Sequence, residues 1–166
     1  FDPTGVPLAL TYRRILEECT TIAEAEQLLR KVHITTYMNL AVADREGAVI
    51  FELTPQTVGA RRPVNHVRAC TTHFQVEGLC TTPECRRIQV LNGLNHREKT
   101  FGLADVKQAM HRVNQGEITL QTMIFEPASL RLHVAMNAPA PVSAGKLKVF
   151  ELAEWLAPAT AEAAAR

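Results

Sequence analysis

The spacing of apolar side chains changes along the chain from a helical period to a strand-like one. From Leu8 to Cys19 apolar residues recur every three or four positions, which predicts a helix that begins after Pro7. A second helix is predicted from Thr21 to Val32, because Thr with Glu three residues later forms a capping box. We expect these two antiparallel helices to pack on one face of a sheet.

The following apolar residues alternate or run continuously, which is typical of strands. Tyr37–Ala43 and Ala48–Leu53 predict a hairpin, and the turn at 44–47 between them ends in a glycine that can take a positive φ. After a predicted loop at 59–63, residues 67–71 predict another short strand.

The second half of the chain predicts two more helices and a second hairpin. The first helix is expected from Thr81 or Thr82, with Pro83 in its first turn, to about His96. The second helix is expected from Gly102 to Gly116, and the two strands over Ile118–Phe125 and Leu130–Met136. Runs of strands beside runs of helices favour an α+β fold over a doubly wound parallel sheet.

The composition changes past Asn137 to Ala, Pro, Ser and Gly, followed by the segment Leu147–Leu156 with the only Trp. We therefore predict one α+β domain over 1–156 and an Ala-rich tail over 157–166.

Charge and missing motifs exclude several functions. The 18 basic and 17 acidic residues give a net charge of +1 without a dense basic block, so we expect no nucleic-acid partner. No apolar run is long enough for a membrane span, so no membrane partner is expected. Phosphate-binding loops and dinucleotide fingerprints are missing, and we predict no cofactor. A homo-oligomer stays open.

The cysteines allow three interpretations. A zinc site is one alternative, because four residues follow the uncommon spacing C-x2-H-x6-C-x4-C, namely Cys70, His73, Cys80 and Cys85. Another is a reactive thiol at Cys80 or Cys85, whose pKa the helix start and two arginines would lower. The interpretation we favour is four free thiols without a metal, which also makes a reduced, cytoplasmic setting the default.

An ordered series of short motifs resembles the isopenicillin N acyltransferase-like family, which is grouped with the choloylglycine hydrolases among the N-terminal nucleophile hydrolases. The motifs that carry the resemblance are Gly5–Leu8, Tyr12–Glu17, Thr20–Ala25, Met38–Gly47, Phe51–Glu52 and Thr71–Phe74. The helix from Arg86 and the last two strands also fit, so the resemblance covers nearly the whole chain.

The resemblance implies an αββα sandwich of two antiparallel sheets covered by helices. It also implies cleavage or transfer of the acyl group of a small-molecule linear amide by an N-terminal Cys that self-cleavage exposes. That Cys precedes the Gly5–Leu8 motif in the family, so none of the four cysteines here is in its place. We expect an upstream segment of the same gene product to supply it, and this chain, which begins at Phe1, to be an inactive fragment by itself.

Five residues stand at positions of the family's site. Thr72 stands where the family has the Asn that helps to form the oxyanion hole, and Arg86 stands where an Arg lowers the pKa of the nucleophile. Asn39, His73 and Phe74 would contact the substrate, although Asn39 fits a hydrogen-bonded core role equally well. The change to Thr72 also supports a second hypothesis, a non-catalytic binding relative; a zinc-stabilised interaction module is the third.

Overall fold

A computed structural model describes residues 1–80, 85–96, 100–136 and 139–156, which belong to two compact units, 1–98 and 99–166. The helices are α1 Leu8–Glu18, α2 Ile22–Lys31, α3 Arg86–Asn92, α4 Leu103–Arg112 and α5 Leu152–Leu156. The strands are β1 Met38–Ala43, β2 Ala48–Leu53, β3 Val58–Arg61, β4 Gln121–Glu126, β5 Arg131–Met136 and β6 Lys148–Glu151. Across the described residues, none of the helices has the length and apolar character to cross a membrane.

The first unit is built on an antiparallel sheet in which β2 lies between β1 and β3. Alternate residues of β2, Val49, Phe51 and Leu53, are buried together with Leu29 of α2 and Ile15 of α1. The two helices therefore pack on one face of the sheet, as predicted, and the hydrophobic effect of this shared burial holds the layers together.

Side-chain capping defines where α2 begins and how β1 turns into β2. The predicted capping box is confirmed, with the Thr21 hydroxyl and the Glu24 carboxylate accepting each other's backbone N–H. In the turn, Gly47 does not take the expected positive φ. Instead the Asp44 carboxylate accepts the N–H groups of Glu46 and Gly47 at 2.8 and 2.9 Å, which closes the turn without a left-handed residue.

Two predictions for 54–71 are wrong. The predicted loop contains β3, because the hydroxyl of Thr54 accepts two turn N–H groups and returns the chain to pair with β2. The predicted strand at 67–71 does not form. Residues 65 and 66 take positive φ values, and Val64 and Val67 exchange two backbone hydrogen bonds that close a tight turn.

The predicted helix after residue 80 is confirmed from Arg86 onward, with Cys85 as its N-cap residue, and it continues as a 3₁₀ turn over Gly93–His96. The proposed caps Thr81 and Thr82 and the proline that follows lie outside the described residues.

The second unit has its own antiparallel sheet, in which β5 lies between β4 and β6. The predicted hairpin is confirmed, whereas β6 was not predicted. On one face, α4 and a 3₁₀ helix at Val142–Ala144 pack against β4 and β5, burying Ile124 and Ala135. With two antiparallel three-stranded sheets and several helices, the α+β class is confirmed. The single-domain division stays a prediction, and the tail at 157–166 lies outside the described residues.

Candidate functional site

The second face of the first sheet carries the polar side chains of Asn39, Glu52 and Arg61, and a segment without regular structure crosses it. Asn39 of β1 lies directly opposite Glu52 of β2, and Glu52 lies opposite Gly59 of β3. Residues 71–76, hereafter the 71–76 segment, are bonded to this row. Because alternate residues of a strand point to opposite faces, this row is turned away from the apolar core under α1 and α2.

Asn39 holds the beginning of the segment. Its Nδ2 donates to the carbonyl oxygen of Thr71 at 2.7 Å and to that of His73 at 3.5 Å. Its Oδ1 is buried and has no hydrogen-bond partner among the described residues. The amide therefore ties the segment to β1 and leaves one acceptor for a further donor.

Glu52 holds the end of the segment. Its side chain is 0% exposed, and its two oxygens accept from the backbone N–H of Gln75 at 2.8 and 2.7 Å and from that of Val76 at 2.7 Å. Arg61 of β3, 10% exposed, donates to the same carboxylate at 2.9 Å. A buried carboxylate is stable only with such charged and hydrogen-bonded partners.

Gly59 lets the segment come close to the sheet. A Cβ at this position would lie 2.9 Å from Cγ2 of Val76, nearer than real Cβ atoms approach. The missing side chain therefore leaves room for Val76 directly over β3.

Cys85 lies at the other side of the segment, at the start of α3. Its Sγ is 3.6 Å from Oγ1 of Thr71. The pKa of this thiol is lowered to about 6, first by the backbone N–H of Ile88 and then by the Thr71 hydroxyl, with smaller contributions from His73 and the N–H of Arg87. Hydrogen bonds to the thiolate favour the charged form, so Cys85 is largely ionised at neutral pH.

The pKa values of Cys19 and Cys70 are shifted in the opposite direction. Burial is the main cause that raises the pKa of Cys70 and of Cys19, which keeps both protonated at neutral pH. Cys80 is exposed. Cys85 is one of the two cysteines that the sequence singled out as reactive, and its pKa is lowered.

Four of the five predicted site residues lie in the 71–76 segment or bind it. Asn39 and His73 come together beside Cys85, and Nδ1 of His73 is buried without a hydrogen-bond partner among the described residues. The ring of Phe74 packs edge-on against Tyr37, with centroids 6.3 Å apart.

Thr72 and Arg86 are exposed. The Thr72 hydroxyl accepts from Nη2 of the neighbouring arginine, Arg87, at 3.3 Å. Arg86 is the first residue of α3. Its role as the cation beside a nucleophile stays a prediction.

Sequence reasoning missed Glu52 as a site residue, although one signal was available. Glu52 is the only charged residue in β2, a strand that is otherwise apolar. A charge inside such a run indicates either an exposed face or a buried carboxylate with specific partners, and the partners here lie 9 to 24 residues further along the chain.

No three metal-ligating side chains come together among the described residues in a way that could hold a metal ion. The zinc interpretation of Cys70, His73, Cys80 and Cys85 therefore gains no support from their placement.

A separate polar cluster lies in the second unit. Nδ1 of His111 is 2.9 Å from Oγ of Ser143, and Nζ of Lys107 donates to the carbonyl oxygen of Gly145 at 2.7 Å. Ser143 is 1% exposed, so these bonds fix α4 to the 3₁₀ helix next to it rather than present an accessible hydroxyl.

Comparison with known proteins identifies a family. A search of curated proteins finds no similar sequence. The model of one protein family, acyl-coenzyme A:6-aminopenicillanic acid acyl-transferase, matches residues 2–141, which include all of the first unit's elements and most of the second unit's. The chain belongs to the acyl-coenzyme A:6-aminopenicillanic acid acyl-transferase family.

Proposed function

We propose that this chain is part of a cysteine-dependent enzyme that cleaves linear amide C–N bonds or transfers their acyl groups. The observation that carries the proposal is the family match over residues 2–141. The meeting of Asn39 and His73 at the 71–76 segment supports it, because both were expected at the substrate side. The substrate would be a small-molecule amide or acyl donor.

The proposal assigns the nucleophile to an N-terminal Cys in a segment that precedes Phe1 in the gene product. A terminal Cys can use its own α-amine as the base, which no internal Cys can do. Cys19 and Cys70 are unsuited because burial raises their pKa. Cys85 is engaged at the start of α3 by Thr71 and by backbone N–H groups.

The reaction proceeds in two steps, acylation of the enzyme and release of the acyl group. The thiolate attacks the amide carbon, the α-ammonium group returns the proton to the leaving amine, and an acyl thioester remains on the enzyme. Water or a second amine then attacks the thioester, and the thiol leaves. In both steps an oxyanion develops on the former carbonyl oxygen, and fixed donors such as the Thr72 hydroxyl would stabilise it.

A second candidate function is binding without catalysis. The observation that favours it is the residue at position 72, where this chain has Thr in place of the family's Asn. A hydroxyl is shorter than the family's amide and reaches less far toward an oxyanion. Loss of one oxyanion donor costs on the order of 10²-fold in rate.

Restoring the family's amide at position 72 separates the two functions. In the complete gene product, Thr72→Asn should raise kcat for hydrolysis of an N-acyl amine by about tenfold or more, because an amide N–H reaches the oxyanion better. Thr57→Asn, in the exposed β2–β3 turn, is the matched control and should leave kcat unchanged. Absence of hydrolysis in both the wild type and Thr72→Asn would favour the binding relative.

A further inference from the structure

We propose that Glu52 is a positioning residue of this site: through the backbone of the 71–76 segment, its carboxylate sets where Thr71 and His73 stand beside Cys85. The inference deepens the proposed function, on which its catalytic meaning rests. It concerns a residue that touches neither a substrate nor the thiol.

The 71–76 segment is held at both ends by neighbouring side chains. Asn39 binds the carbonyl oxygens of Thr71 and His73, and Glu52 binds the N–H groups of Gln75 and Val76. Since Asn39 and Glu52 are cross-strand partners, the two attachments are made on one rigid part of the sheet. The intervening residues therefore have little freedom to shift.

Packing alone does not call for a carboxylate at position 52. Replacing a buried ion pair by apolar side chains of similar size is often neutral or stabilising. Glu52, paired with Arg61, instead uses its charge to accept hydrogen bonds from backbone N–H groups of a segment that has no strand partner. Charge-assisted bonds of this kind are about twice as strong as neutral ones and fix geometry.

The shape of the Glu52 carboxylate also matters for holding the segment. Both oxygens of Glu52 are used, for three donors in all. Glutamine has nearly the same shape but a single oxygen, and its NH₂ group would face a donor. Glu52→Gln therefore preserves the volume of the core and removes half of the acceptor that holds the segment.

The test uses the thiol of Cys85 as a reporter of the position of Thr71 and His73. Each cysteine of the complete gene product is alkylated with iodoacetamide across pH 4 to 10, and the rate is followed by mass spectrometry of its peptide. We compare the wild type with Glu52→Gln. The matched control is Glu26→Gln, which breaks ion pairs to Arg30 and Arg62 elsewhere in the same unit.

In Glu52→Gln the midpoint of the Cys85 profile should rise by about one pH unit, because the thiolate loses the Thr71 and His73 contacts and keeps the N–H of Ile88. Glu26→Gln should leave the midpoint where it is in the wild type. A Glu52→Gln midpoint equal to the wild-type value overturns the proposal, whatever happens to stability.

The test can be carried out even if Glu52→Gln does not fold. If Glu52→Gln yields no folded protein, the double variant Glu52→Gln with Arg61→Met leaves no unpaired buried charge and carries the same expectation. The alkylation profile needs no acyl substrate. A shifted profile in a protein without amidase activity would therefore support the role of Glu52 and contradict the proposed function alone.

Discussion

At the scale of single residues, the backbone N–H of Ile88 and then the hydroxyl of Thr71 make Cys85 a distinctive thiol. Alkylation of Cys85 should have its midpoint near pH 6, whereas the midpoint for half-buried Cys70 should lie above the ordinary thiol range, because burial raises its pKa. Thr71→Val keeps the side-chain shape and removes the hydroxyl, so the Cys85 midpoint should rise. The midpoint is measured by mass spectrometry of the Cys85 peptide after iodoacetamide treatment across the pH range, with Thr57→Val as the control. Cys85 and Cys70 profiles that coincide would contradict this account.

The core makes a second residue-scale prediction. Leu29 is 2% exposed among helix and sheet side chains, and Leu16 on α1 is 85% exposed. Leu29→Ala should lower the free energy of unfolding by about 2–5 kcal/mol, because it leaves a cavity. Leu16→Ala should change it by less than about 0.5 kcal/mol. Urea denaturation followed by circular dichroism compares them, and equal losses would mean that α2 does not pack on the sheet.

At the scale of elements, Asp44 joins the β1–β2 turn to the start of α2. Its Oδ2 accepts the N–H of Ile22 at 2.9 Å, and its Oδ1 accepts two N–H groups of the turn. The N–H of Ile22 is the main cause that lowers the pKa of the Asp44 carboxyl. A lowered pKa means that this stabilisation is complete above the ordinary carboxyl range and is lost as the pH falls through the folded-state pKa.

Asp44→Asn should therefore lower the melting temperature at pH 7, because the neutral amide is a weaker acceptor. The difference from the wild type should shrink toward pH 3 and below as the wild-type carboxylate becomes protonated. Calorimetry at several pH values measures it, with Glu46→Gln, an exposed acid of the same turn, as the control. A difference that does not depend on pH would show that the charge of Asp44 is not involved.

Elements with a local signal could be predicted, and elements defined by distant partners could not. The capping box at Thr21 and the apolar pattern of both hairpins are readable within a few residues. Strand β3 contains Gly59 and a polar end, so it has a weak strand propensity and forms because β2 offers an open edge. The apolar run at 67–71 fails as a strand because the preceding tight turn directs it across the sheet instead.

At the scale of the whole molecule, the family and the α+β class could be predicted because they depend on the order of many weak motifs. The composition of the site could be predicted only in part. Asn39 and His73 were expected, whereas the attachment of the 71–76 segment to Glu52 and the approach of Thr71 to Cys85 join residues 14 to 24 positions apart. Such contacts have no periodic signature in the sequence.

The measurement that tests the central claim most directly is the mass of the complete gene product after incubation with a β-lactam amide at neutral pH. The account predicts a self-cleaved protein with one covalent acyl adduct on a new N-terminal Cys that precedes Phe1, and no adduct on Cys19, Cys70, Cys80 or Cys85. An unmodified protein, or an adduct confined to one of those four cysteines, would contradict it.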